Sequence, residues 1–172
     1  KPDLRRSLGI VLQDTHLFTG TVKENIRFGK LNATDEEVVR AAKLVNADGF
    51  IRRLPNGYDT VLTGDGGSLS QGQRQLISIA RAAIADPPVL ILDEATQGVD
   101  VEAKTQIYNI LNNLTAQGKA ILFISSDIAE VMGIADRIMV IRHGRVVKIL
   151  DNQALDKEQV LWYATVGDEG GK

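Results

Sequence analysis

The run Val89-Leu90-Ile91-Leu92, closed by Asp93-Glu94, constrains this chain more than any other stretch. Four apolar residues in succession, with no alternation, require burial on both faces, the condition of a central strand in a parallel sheet. Ligands of such sheets bind beyond the C-terminal ends of the strands. Two carboxylates at that edge are costly to desolvate and therefore stand out as candidates for chemistry.

The surrounding sequence alternates strand and helix patterns, which predicts an α/β fold with a mostly parallel sheet and one domain carrying a subdomain. Leu8 to Gln13 reads as the first strand. Thr21-Val22-Lys23-Glu24 and Thr34-Asp35-Glu36-Glu37 are capping boxes that each open a helix. Leu54 to Gly67 is rich in turn residues and reads as a connector; its glycines miss the dinucleotide-binding spacing, which needs a third glycine at Leu69. A helix is expected from Ser70 to about Ala85, ended by Pro87-Pro88. Further on come a helix from Val101 to Gln117 stopped by Gly118, a strand Ala120 to Ser125, a helix from Asp127 to about Ala135, and a hairpin Ile138 to Leu150 turning at His143-Gly144. The expected divisions are 1–15 (core strand), 16–85 (helical subdomain), 86–166 (α/β core) and a disordered tail at 167–172.

Composition removes several classes of function. The 172 residues are 44% hydrophobic, enough for a sizeable core. Twenty Lys and Arg against 22 Asp and Glu leave a net charge of −2, so no global field attracts nucleic acid or an anionic membrane. No apolar run approaches the roughly 20 residues of a membrane span, and the absence of cysteine excludes disulfides and thiolate metal sites.

Asp93 at the end of an apolar strand suits a Mg²⁺ ligand acting through water, and Glu94 beside it suits a base that activates water. A plain helix N-cap after a buried strand would use the same two residues. Ser68-Leu69-Ser70-Gln71-Gly72-Gln73-Arg74-Gln75 places a hydroxyl and a glycine at a helix start, where free N–H groups and the helix dipole favour an anion. Here too an ordinary N-cap is the alternative. A phosphate-cradling loop of the form G-x-x-x-x-G-K-[ST] is missing: Gly29-Lys30, Gly118-Lys119 and Gly171-Lys172 each fail it.

Taken in order, Val11-Leu12-Gln13-Asp14, LSQGQRQ, VLILDEAT and Gly98-Val99-Asp100 resemble the Q-loop, signature, Walker B and D-loop of ATP-binding cassette (ABC) transporter ATPases. The resemblance covers nearly the whole chain and implies a P-loop NTPase fold of ABC type with ATP and Mg²⁺ as ligands. It implies Mg²⁺ at Asp93 and Gln13, catalysis by Glu94 with Gln13, and D-loop roles for Gly98 and Asp100. Two such cassettes pair head to tail, so Ser70, Gln71, Gly72 and Gln73 are expected to face ATP held by a second cassette. Walker A is then expected to precede residue 1, which makes the chain a truncated cassette lacking the N-terminal part of its core and inactive by itself.

Residues 1–96 look like an exporter cassette fused behind transmembrane helices. In that comparison Gly64-Asp65-Gly66-Gly67 occupy the place of a coupling loop with Asp65 for Glu. From Thr96 onward the chain resembles the second cassette of tandem sugar-importer ATPases, so a chimera is one reading. Where the family carries a histidine that contacts the γ-phosphate, this chain has Ser126, which donates one hydrogen bond and holds no charge. Alternatively Ser126 merely starts the next helix. Expected partners are a second cassette and transmembrane domains at the cytoplasmic face of a membrane, without nucleic acid. A soluble ABC-type ATPase acting on DNA or ribosomes is the competing class, disfavoured by the absence of heptads and cysteines between Gln13 and Ser70; an inactive fragment is another.

Overall fold

The computed structural model describes residues 7–64 and 66–167. Asp65, the first six residues and the expected tail beyond Gly167 lie outside the described residues. Two compact units result, the first ending at Ile124 and the second beginning at Ser125.

The first unit is built on a parallel sheet of three strands, β1 (Leu8–Val11), β4 (Val89–Asp93) and β5 (Ala120–Ile124), with β4 in the middle. The register sets Leu8 beside Val89 and Val89 beside Ala120, and continues to Asp93 beside Ile124. The apolar run takes the central place, but burial along it alternates, and the face carrying Val89 and Ile91 is only partly covered. Val11, Leu90 and Leu92 are buried on one face, whereas Ile10, Leu122 and Ile124 on the other are 57%, 44% and 43% exposed.

Between β1 and β4 lie four helices of the same unit: α1 (Val22–Arg27), α2 (Asp35–Leu44), the single-turn α3 (Asp48–Ile51) and α4 (Gln71–Ala83). Both threonine capping boxes form as the sequence predicts, Thr21 accepting from the Glu24 N–H and Thr34 from the Glu37 N–H. Helices α1, α2 and α4 pack on one another. Gly29, just past α1, allows a close approach to α4: a Cβ there would stand 1.8 Å from the main-chain oxygen of Arg81.

The presumed connector 54–67 carries more structure than its turn chemistry suggests. A 3₁₀ turn, Gly57–Asp59, leads into β3 (Val61–Leu62), which pairs antiparallel with β2 (Gly20–Thr21). Tertiary partners make the difference: the Val22 N–H donates to Thr60 O at 3.0 Å, and Lys23 meets Asp59 at 2.5 Å. Helix α5 (Val101–Ala116) follows β4, buries Ile107, Ile110, Leu111 and Leu114, and ends at Gly118, whose φ of +85° suits the left-handed stop.

In the second unit, α6 (Ile128–Ile134) precedes a hairpin of β6 (Arg137–Arg142) and β7 (Arg145–Asp151). His143 and Gly144 turn it with φ of +49° and +73°, the pairing of positive φ values that a two-residue hairpin loop needs. A further helix, α7 (Lys157–Thr165), was not apparent from the sequence pattern. It buries Val160 against Ile138 and Val140 of the hairpin. Asn152 ties the hairpin to α6 by donating to Met132 O and Ala135 O, each at 2.7 Å.

Candidate functional site

Strand β4 delivers Asp93 to the C-terminal edge of the sheet and the chain then turns sharply. Glu94 makes that turn in the left-handed region, with φ of +48°, while its N–H donates to Ile124 O at 2.9 Å. A non-glycine residue in that region carries about 1–2 kcal/mol of local strain. Sequence alone could not show this, because Glu is not a residue chosen for positive φ. The strain holds a half-buried carboxylate at the strand end, where strained residues often serve function.

Beyond Glu94 the chain is held by short contacts. Gln97 N–H donates to Glu94 O at 3.0 Å, Val99 N–H to Thr96 O at 3.2 Å, and Ala95 and Thr96 are 2% and 1% exposed. Gly98, with φ of +74°, has the side-chain amide of Gln71 against it, 2.9 Å from where a Cβ would sit. Asp100 caps α5 by accepting from the Ala103 N–H at 2.9 Å.

The start of α4 is a complete capping box: Ser70 Oγ accepts from the Gln73 N–H at 3.1 Å, and the Ser70 N–H donates to Gln73 Oε1 at 3.0 Å. Ser70 keeps its hydroxyl proton for another acceptor, and the N–H groups of Gln71 and Gly72 have no intrahelical partner by position. The sequence reads Gly72 as clearance for a phosphate. In the structure that clearance is filled, because a Cβ there would come within 2.6 Å of Ala103 Cβ. Gly72 is buried, and its missing side chain lets α4 close against the start of α5.

Gln13 stands past the end of β1, exposed, and its Nε2 donates to the Gln97 side-chain oxygen. Gln71 Nε2 donates to the Gln97 main-chain oxygen at 2.8 Å. The structure therefore gathers Gln13, Gln71, Gly98 and the turn after Glu94 around Gln97, a residue the sequence reading did not single out. No sequence signal marks it beyond its place inside the DEATQG stretch. Gly64 and Gly66 turn with φ of +48° and +73°, and Gly66 lies against Leu17, 3.1 Å from its would-be Cβ. Ser126 is an exposed residue of the second unit, and the helix cap there belongs to Asp127, which accepts from Ala129 and Glu130 N–H at 3.0 and 3.3 Å.

Among the described residues no group of three or more His, Cys, Asp or Glu is placed to hold a metal. Mg²⁺ does not need one: it takes one or two protein oxygens and completes its shell with phosphate and water. The donor set of a strand-end carboxylate and a carboxamide oxygen fits such an ion.

A profile described as ABC transporter matches residues 1–97. The chain belongs to the ABC transporter family. Among ABC relatives, an uncharacterized ABC transporter ATP-binding protein of Bacillus subtilis, YfiC, is 49% identical over 148 residues, 86% of this chain and 24% of its own length. The ATP-dependent lipid A-core flippase of Desulfotalea psychrophila is 45% identical over 145 residues, 84% of this chain and 25% of its own. A bacterial Atm1-family ABC exporter with ATP bound superposes with a TM-score of 0.77 at 35% identity, over 88% of this chain and 26% of that one. The chain spans about a quarter of the length of these relatives. Alignments of such length run well past Thr96, so the exporter-like match extends through both halves. Among the described residues no helix is long and apolar enough to cross a membrane.

Proposed function

We propose that this chain is part of an ATP-hydrolysing cassette that drives export across a membrane. The observation that carries the reading is Glu94, a carboxylate fixed at positive φ directly after the central parallel strand and beside Asp93. Asp93 and the Gln13 oxygen would hold Mg²⁺ together with phosphate oxygens and water. Mg²⁺ supplies charge neutralisation at the phosphates. Glu94 accepts the proton of the attacking water.

The second half of the reading concerns a partner. Ser70, Gln71 and Gln73, with only the main-chain N–H of Gly72, face ATP bound to a second cassette in a head-to-tail pair, with Gly98 and Asp100 at the seam. The loop Gly64, Asp65, Gly66 and Gly67 faces transmembrane domains, which set the protein at the cytoplasmic side of a membrane. The 172 residues alone contain no G-x-x-x-x-G-K-[ST] loop, and by themselves should bind MgATP no more tightly than the order of millimolar, since that loop supplies most phosphate contacts.

Glu94→Gln in the full-length protein tests the reading. The amide keeps the shape but cannot take a proton, so ATP binding should persist while hydrolysis falls at least about a hundredfold. Hydrolysis at the parent rate would remove Glu94 from the chemistry.

A further inference from the structure

We infer that Arg74 is a positioning residue that fixes the Ser70 cap of α4 for its encounter with ATP on the partner cassette. The inference rests on the reading of Ser70 as facing that ATP and adds what holds Ser70 in place. The angle at which a chain enters a helix is commonly set by an apolar contact between the residue before the cap and the fourth residue of the helix. In α4 those two positions are Leu69 and Arg74. Leu69 is buried, 4% exposed, but its partner by position carries a guanidinium in place of an apolar group.

A hydrogen bond takes over the work of the apolar contact. Arg74 Nη1 donates to Leu69 O at 2.7 Å in partly buried surroundings, while the Leu69 N–H donates to Gly66 O at 2.8 Å. Both main-chain polar groups of Leu69 are engaged, so the residue cannot swing without breaking one of the two bonds. The stem of Arg74 makes a second contact. Its Cγ and Cδ lie 3.5 and 3.4 Å from where a Cβ of Gly66 would stand, and buried Leu17 meets the same point at 3.1 Å. Arg74 is anchored in turn, its N–H donating to Ser70 O at 3.0 Å. One side chain therefore closes a ring from Ser70 through the first turn of α4 and back to the peptide before Ser70. The group whose direction this ring sets is the Ser70 hydroxyl, which accepts from the Gln73 N–H and keeps its proton for another acceptor. An acidic side chain at position 74 would suit the helix dipole better, but it has no proton for Leu69 O and would repel an incoming phosphate.

The test uses the full-length protein, assembled as a dimer in which one ATP site at a time can hydrolyse and the substitutions sit on one cassette. Arg74→Met keeps the stem over Gly66 and removes the donor. Turnover at the partner's site should fall about three- to tenfold, the range of one hydrogen bond. Arg74→Lys keeps a charged donor on a similar stem and should stay within about twofold of the parent. Ser70→Ala removes the group being positioned, and on that background Arg74→Met should add less than about twofold, because the two residues act as a unit. Parent turnover in Arg74→Met, a loss as large in Arg74→Lys, or an equal loss at both ATP sites, which is the pattern of a merely loosened cassette, overturns the inference. Ser70→Ala alone separates the two layers. If it lowers turnover at the partner's site while Arg74→Met does not, only the positioning role fails; if it leaves that site at the parent rate, the reading of Ser70 as facing the partner's ATP fails as well.

Discussion

Arg81 on α4 grips Asn25 on α1 twice, donating from Nε to its main-chain oxygen and from Nη2 to its side-chain oxygen, both at 2.9 Å. Asn25 is fully buried, and its amide also accepts from the Phe18 N–H at 3.1 Å and donates to Phe18 O and Thr21 O at 3.0 and 3.1 Å. A third Arg81 bond reaches His16 O at 3.0 Å, and its guanidinium lies over the rings of Phe18 and Phe28. This one arginine fixes the segment after Gln13 to the helix that begins at Ser70. Arg81→Lys keeps the charge but loses the planar fork, and should cost about 1–3 kcal/mol. Asn25→Ala strands several buried partners and should cost about 3 kcal/mol or more. Urea denaturation of the cassette measures both, and a loss under 0.5 kcal/mol (about the effect of an ordinary surface change) for Arg81→Lys would count against the clamp.

Gly29 permits the α1–α4 contact. Since a Cβ there would meet the Arg81 carbonyl at 1.8 Å and Ile84 Cγ2 at 2.8 Å, Gly29→Ala must push two backbones apart. The expected cost is about 2–4 kcal/mol, seen as a lower melting temperature and a poor soluble yield. Thermal unfolding unchanged within a degree would show that the two helices separate freely.

Glu94 should trade stability against activity. Glycine accepts φ of +48° without a Cβ penalty, so Glu94→Gly should raise stability by about 1 kcal/mol, whereas hydrolysis should be lost with the carboxylate. Paired denaturation and turnover measurements check this. A destabilised Glu94→Gly would mean that the carboxylate has stabilising partners that outweigh the backbone strain.

Ser70 and Ser126 are proposed to serve different ATP sites. In a heterodimer in which one site at a time can hydrolyse, Ser70→Arg should abolish turnover at the partner's site by filling the approach to the γ-phosphate. Ser126→His should raise turnover at the other site, by on the order of tenfold for one charge-assisted bond regained in the transition state. Effects of both substitutions at one and the same site would refute the head-to-tail arrangement.

Acid should weaken the two capping boxes that open α1 and α2. The Thr21 N–H and hydroxyl hold the Glu24 carboxyl below its ordinary value of 4.5, and Lys30, with the Thr34 N–H, does the same for Glu37. A carboxylate with a depressed folded value adds stability above the unfolded value and loses it as pH falls through the folded one. Helix signal should therefore decline below about pH 4.5, and Glu24→Gln with Glu37→Gln should flatten that decline. An acid transition identical in the double variant would place the titrating groups elsewhere.

The sequence by itself determined the elements whose causes are local. An unbroken apolar run marks a central strand, and β4 is central although only one of its faces is fully covered; a threonine three residues before a glutamate closes a cap within one turn, and both boxes form. Pro87-Pro88 and Gly118 ended helices for backbone reasons that need no neighbour. Where periodicity failed, so did the reading: α7 carries an Asp156–Gln159 capping box, but Val160, Leu161 and Trp162 stand in a row and trace no helical stripe. Its helix is decided by Val160 docking on the hairpin. The connector's β3 likewise exists because β2, some forty residues earlier in the chain, offers it a partner. The candidate site divides in the same way. Ordered motifs named Gln13, Ser70, Asp93 and Glu94, since residue types and spacing are written in the chain. Tertiary structure alone set Glu94 at positive φ, filled the clearance of Gly72 with Ala103, and brought Gln97 to Gln13 across 84 residues, because each is a contact between segments that share no local signal.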